Sequence, residues 1–117
     1  MKPYQQHQGA CRKSSWFAGV ALSDSSREPV RLGSGDKLIF GIKRDPEDTA
    51  YTVRKVLTSA DELGGVYTIS LTPEDLNVTP DRYFYDIGVQ TEDGSFIKIV
   101  PLSPFDICPN ITEKEVT

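Results

Sequence analysis

Across residues 64–99, apolar and polar positions alternate with a period of two, stop at sharp turn signals and resume, which is the pattern of short, half-buried strands. Residues 66–71 place Tyr67, Ile69 and Leu71 on one face and Val66, Thr68 and Ser70 on the other. Residues 83–90 set Tyr83, Tyr85, Ile87 and Val89 against Phe84, Asp86, Gly88 and Gln90. The first set is expected to face the main core, and Phe84 needs separate cover. Between these strands, Thr72-Pro-Glu-Asp reads as a helix start, with a hydroxyl cap, Pro in the first position and acids in the first turn. Asn77 and Pro80 confine it to about one turn. Asp93-Gly94 is a hairpin signal whose flanks should pair antiparallel. Residues 96–100 form the return strand, halted by Pro101, and residues 105–108 form a last short apolar segment after Pro104.

The first half of the chain is patterned less regularly. In residues 16–22, Trp16, Ala18, Val20 and Leu22 share one strand face, while Phe17 on the other suggests that this side is partly covered too. Residues 23–29 read as a turn. Residues 37–43 place Leu38, Phe40 and Ile42 on one face after a GSGD turn. A polar excursion around Asp45 and Pro46 follows. Tyr51, Val53, Lys55 and Leu57 then alternate with Thr52, Arg54 and Val56, a strand with one wetter face or near a sheet edge. Residues 58–65 have room for one helical turn, with Ser59 and Glu62 at the spacing of a capping box. The expected fold is all-β: an immunoglobulin-like antiparallel β-sandwich of about seven strands with one or two short helical turns. A flexible arm is expected over residues 1–15, the sandwich domain over 16–112 and a tail over 113–117.

Composition agrees with a single packed domain. The 117 residues are 38% hydrophobic and include five Phe, five Tyr and one Trp, enough for one core without metals or several disulfides. The net charge of −4 opposes contact with a phosphate backbone and does not favour anionic membranes. No nucleic-acid or membrane partner is expected. The N-terminal stretch has no apolar signal-peptide core, and no run is long enough to span a bilayer, so neither secretion nor insertion is indicated.

Candidate chemistry is sparse. His7 is the only histidine, so neither a histidine triad nor a multi-histidine metal site can be assembled within one chain. Cys11 stands beside Arg12 and Lys13, which would favour its thiolate, but no base accompanies it. Cys11 and Cys108 are too few and too far apart for a zinc knuckle. Two readings of the pair stand. If the first and last strands are neighbours, the cysteines meet and close a loop whose entropy contributes about 4 to 5 kcal/mol on the chain-entropy model. Otherwise they are ordinary thiols, and no motif points to an oxidising compartment.

Asp45, Glu47 and Asp48, like Glu92 and Asp93, carry oxygens that suit calcium, but they lack the ligand spacing of an EF-hand and read as solvated turn charges. Gly33 and Gly35 in LGSGDK lack the Gly-Lys-Ser/Thr ending of a phosphate loop and read as a tight turn. Asn77-Val-Thr and Asn110-Ile-Thr match the glycosylation triplet and read as polar turns. Asp86 belongs to a polar pair or to an exposed sheet face. Tyr83, Phe84 and Tyr85 are either an aromatic binding surface or, for at least one face, part of the core. No catalytic, cofactor-binding or metal-binding residue is assigned, and the chain reads as a scaffold rather than an enzyme.

The run from Gly65 through Asp75 (GVYTISLTPED), Tyr83-Phe-Tyr-Asp-Ile, Asp93-Gly-Ser-Phe, Ser103-Pro-Phe-Asp-Ile and the earlier Leu38-Ile-Phe-Gly-Ile-Lys resemble the N-terminal β-sandwich domain of phage baseplate upper proteins and related tailed-phage or prophage structural proteins. The likeness covers about residues 16–112. It implies a noncatalytic component of a tail or baseplate that attaches to neighbouring particle proteins, commonly within an oligomer. It also implies residence in the phage particle, or in the bacterial cytoplasm before assembly. The alternative is a carbohydrate- or peptide-binding sandwich module, and an enzyme with converging acids in a deep pocket is a third reading.

Overall fold

The strongest alternation in the chain forms β9 (Asp81–Gln90), the middle strand of a five-stranded sheet. The computed structural model describes residues 8–111. Its other strands are β1 (Gln8–Cys11), β2 (Trp16–Val20), β3 (Leu22–Ser23), β4 (Pro29–Val30), β5 (Lys37–Lys43), β6 (Val53–Leu57), β7 (Glu62–Leu63), β8 (Val66–Leu71) and β10 (Phe96–Cys108). The large sheet has the order β1-β10-β9-β5-β6, the facing sheet β2-β8-β7, and β3 pairs with β4 as a small ribbon. Every pairing is antiparallel except β1 with β10. The expected all-β sandwich is present. The order β10-β9-β5-β6 opposite β2-β8-β7 matches G-F-C-C′ opposite B-E-D of an immunoglobulin variable-type sandwich.

The inward faces follow the sequence pattern. Leu38, Phe40 and Ile42 of β5, Tyr67, Ile69 and Leu71 of β8, and Tyr83, Tyr85, Ile87 and Val89 of β9 are all buried. At the start of β9 the Tyr83 hydroxyl donates to the Thr79 carbonyl at 2.8 Å, the tyrosine corner typical of this fold. Two residues later, where immunoglobulin domains carry the cysteine of their inter-sheet disulfide, this chain has Tyr85. An aromatic quartet fills that place. Trp16 of β2 stacks on Phe40 at 5.8 Å and meets Phe105 edge-on at 5.3 Å, while Tyr85 contacts Phe40 at 5.8 Å and Phe105 at 5.9 Å. The ring of contacts joins the sheets by burial and by edge-to-face geometry, worth about 0.5–1.5 kcal/mol per pair beyond area.

Several expectations are corrected. Of the arm expected over residues 1–15, residues 1–7 lie outside the described residues, as does the tail over 113–117, but Gln8–Cys11 is a paired strand. The local polarity of this segment hid a ladder whose partner is 97 residues away in sequence. Phe96–Cys108 is one 13-residue strand, not two pieces halted by Pro101 and Pro104. Its register shifts between Lys98 and Val100 and again between Val100 and Ser103, so Pro101 sits in a bulge that demands no ladder N–H from it. Pro104 immediately precedes the pairing with β1.

Phe17 is 67% exposed, so among the described residues the outer side of β2 has little cover at this position. Tyr51 precedes β6 and lies outside its alternation. The turn of 3-10 helix, Ser59–Asp61, is capped one residue earlier than expected, by Thr58, whose N–H donates to the Asp61 carboxylate at 2.7 Å. The Thr72 turn forms as read: the Thr72 N–H donates to Asp75 at 2.9 Å and the Asp75 N–H to the Thr72 hydroxyl at 3.1 Å. It carries Leu76, fully buried, into the core. Leu32 is buried from a loop, where the Tyr67 hydroxyl accepts its N–H at 2.8 Å. Periodicity cannot find such residues, because neither sits in a strand.

Candidate docking surface

The sheets end in strands of unequal character. β6 is an edge, as its mixed pattern suggested, and carries Arg54 and Lys55. β7 has two residues and runs into the Gly64-Gly65 turn. β1 has four residues and leads directly to Arg12 and Lys13. β2, reading WFAGV, has neither a charge nor a proline, and among the described residues its ladder partner is β8 alone. Natural sheet edges are usually blunted by charge, proline, bulges or brevity. β2 lacks the first three.

A groove of about 290 Å³ runs beside β2 between the two sheets, lined by Trp16, Ala18 and Val20 on one side and Tyr85, Ile87 and Val100 on the other. Polar and apolar surface line it about equally, with Gln8 of β1 among the lining residues, and among the described residues no second strand pairs with β2. An extended segment laid there would find hydrogen bonds from the edge and alternate pockets for its side chains.

The outer face of the five-stranded sheet is different. Phe96 lies across Gly88, where a Cβ would come within 2.4 Å of the ring, and Tyr51 lies across Gly41 in the same way at 2.5 Å. Each ring is covered by a lysine, Lys98 at 4.9 Å from the Phe96 centroid and Lys43 at 4.8 Å from that of Tyr51. Asp86 is resolved as a polar pair: the Lys98 ammonium donates to its carboxylate at 2.7 Å. Arg82 forks onto Asp106 across β9 and β10 at 2.7 and 3.1 Å. Tyr83 and Tyr85 belong to the core, while Phe84 is half-buried on this outer face and lines a shallow hollow of about 180 Å³ with Tyr51, Asp86 and Leu102.

Burial pushes the Tyr83 and Tyr85 phenols upward, as expected of core hydroxyls. Asp81 is held below the usual carboxylate range by the Arg82 N–H and by Arg44, and Asp93 by the Thr91 hydroxyl and the Ser95 N–H. Contact with the Cys108 sulfur raises the Cys11 thiol.

The remaining candidates fall into structural roles. Asp45 accepts the Glu47 N–H at 3.0 Å and Asp48 accepts the Asp45 N–H at 3.2 Å, so these carboxylates organise their own turn. Among the described residues no group of three His, Cys, Asp or Glu is placed to hold a metal. The LGSGDK loop is closed by Asp36, which accepts the Gly33 N–H at 2.8 Å and the Glu92 N–H at 3.0 Å. Asn77 is exposed and accepts from Arg12 at 3.0 Å. His7 and the Thr of the Asn110 triplet lie outside the described residues. Among those described, no helix is long and apolar enough to cross a membrane. The open β2 edge was missed because its exposure depends on which strands pair, although the absence of charge over residues 16–22 was a readable signal. No protein-family model matches this chain, and no curated protein matches it.

Proposed function

We propose that this protein is a noncatalytic docking module of a tailed-phage or prophage particle, belonging to the tail or baseplate, and that it receives an extended strand of a neighbouring particle subunit along β2. The observation that carries the docking reading is the uncharged β2 edge, which borders a groove lined by Trp16, Ala18 and Val20 together with Gln8. The particle context rests on the resemblance of the strand and turn motifs to baseplate upper-protein domains. A rigid aromatic core suits such a role, because a preformed edge loses little freedom when a partner strand adds to it.

The test is co-expression of the full chain with the products of neighbouring genes, followed by co-purification and size measurement. A tail or baseplate protein should be captured, and Phe17→Lys, which adds an edge charge at an exposed position, should weaken capture by roughly tenfold or more. A monomer that captures no particle protein overturns the assignment.

One observation favours a second reading, a glycan- or peptide-binding module. Tyr51, 48% exposed, borders the hollow that also contains Asp86. Binding to a glycan or peptide panel that disappears in Tyr51→Ala would move the site to this face.

A further inference from the structure

β1 and β10 are parallel neighbours in the register Gln8 to Phe105, Gly9 to Asp106, Ala10 to Ile107 and Cys11 to Cys108. The two cysteines, 97 positions apart in sequence, are therefore direct cross-strand partners. Neighbouring strands lie about 4.7–4.9 Å apart, inside the range of Cα separations of about 4.4–6.8 Å that a disulfide tolerates. In-register side chains on parallel strands leave the same face, and here the Sγ atoms are 2.9 Å apart, against about 2.05 Å for the covalent bond. Both cysteines are exposed, so a reagent can reach them.

The backbone around the pair is tied down. The Cys11 carbonyl accepts the Ser14 hydroxyl at 2.6 Å and the Ser14 N–H at 3.2 Å, and the Cys108 carbonyl accepts the Arg12 N–H at 2.7 Å. Closing the bond thus needs a small side-chain movement and no change of register.

We infer that Cys11 and Cys108 are a disulfide-forming thiol pair, closed by exchange with a small-molecule or protein disulfide, and that the bond staples β1 to the edge of β10. The inference stands apart from the docking reading. In the first step one cysteine thiolate attacks the oxidant's disulfide, forming a mixed disulfide and expelling one thiolate. The second cysteine thiolate then attacks the protein sulfur of that mixed disulfide, forming the Cys11–Cys108 bond and expelling the other thiolate. The protein loses two electrons and two protons, and the oxidant is reduced to two thiols. With the thiols open, β1 is held in the sheet by a four-residue ladder. With the bond closed, it cannot leave the β10 edge.

The full chain, reduced and then equilibrated with mixtures of reduced and oxidised glutathione, tests this directly. Intact mass should fall by two hydrogen atoms, peptide mapping should join Cys11 to Cys108 within one chain, and the melting temperature should rise by roughly 10 °C. Amide exchange over residues 105–108 should slow on closure. Cys11→Ser and Cys108→Ser should each show a glutathione adduct on the remaining thiol and no redox-dependent change in melting. Stable adducts on both wild-type cysteines, disulfide-linked dimers or unreacted thiols would overturn the pairing. An intrachain bond with unchanged exchange over residues 105–108 would overturn the staple.

Discussion

The inner side of β9 presents Tyr83, Tyr85, Ile87 and Val89 to the aromatic and aliphatic core, all buried, whereas its outer side presents Phe84 and Asp86 among rings, lysines and ion pairs in contact with solvent. Aromatic residues serve both faces in different ways. Inside, Trp16, Phe40, Tyr85 and Phe105 contact one another in a closed circuit that bridges the sheets. Outside, Tyr51 and Phe96 each pack closely against a glycine of the large sheet and carry a lysine over the ring. The inner arrangement joins two layers and excludes water. The outer one only covers backbone, and its charges remain hydrated. Stability should therefore depend strongly on the first face and weakly on the second.

Adjacent residues of β9 provide the sharpest way to break this contrast. Ile87→Asp places a carboxylate in the core without a designed partner and should cost about 3 kcal/mol or more in chemical unfolding. A small effect would mean that the inward face is not the one holding the sheets together.

Acidification should have a smaller effect. Burial alone would raise the Asp75 carboxyl, but the Thr72 N–H and Lys55 outweigh it and hold it below its ordinary value, and Asp81 and Asp93 are lowered as well. A depressed carboxylate pKa contributes stability above the unfolded value of about 4 that is lost as pH falls through the folded values. Unfolding midpoints should hold between about pH 7 and pH 5 and fall below about pH 4, with Asp75→Asn reducing that fall. A midpoint that rises on acidification would contradict the assigned shifts.

The smallest effect belongs to Asp86→Asn, which removes the charge paired with Lys98 on the outer face, where the two side chains are 35% and 41% exposed. The loss should stay within about 1 kcal/mol and shrink in high salt. A loss matching that of Ile87→Asp would erase the distinction between the faces.

Much of the inner face was legible because its strands have period two. The alternations in β5, β8 and β9 named their buried sides without knowledge of any partner, and Asp93-Gly94 marked the hairpin between β9 and β10, with Gly94 at a φ of 92°. β10 was harder, because two prolines read as strand breaks until the bulge that accommodates Pro101 is seen. Leu32 and Leu76 were illegible, since a single apolar residue in a loop has no period. Asp86 was readable only as a choice between pairing and exposure, and the cross-strand register that brings Lys98 opposite Gly88 decided it. The proposed docking edge had one sequence signal, the lack of charge in WFAGV, but not the information that β2 ends its sheet among the described residues.

By itself, the sequence determined the all-β class, the inward sets of the main strands, the capped Thr72 turn and the hairpin, because each depends on residues within a few positions of one another. The tertiary structure alone decided that the first described strand lies parallel to the last, that Cys11 faces Cys108, that four rings from β2, β5, β9 and β10 close a circuit, and that β2 borders an open groove. Those features are set by pairings between residues far apart in the chain, whose energies come from burial and register that no local pattern encodes.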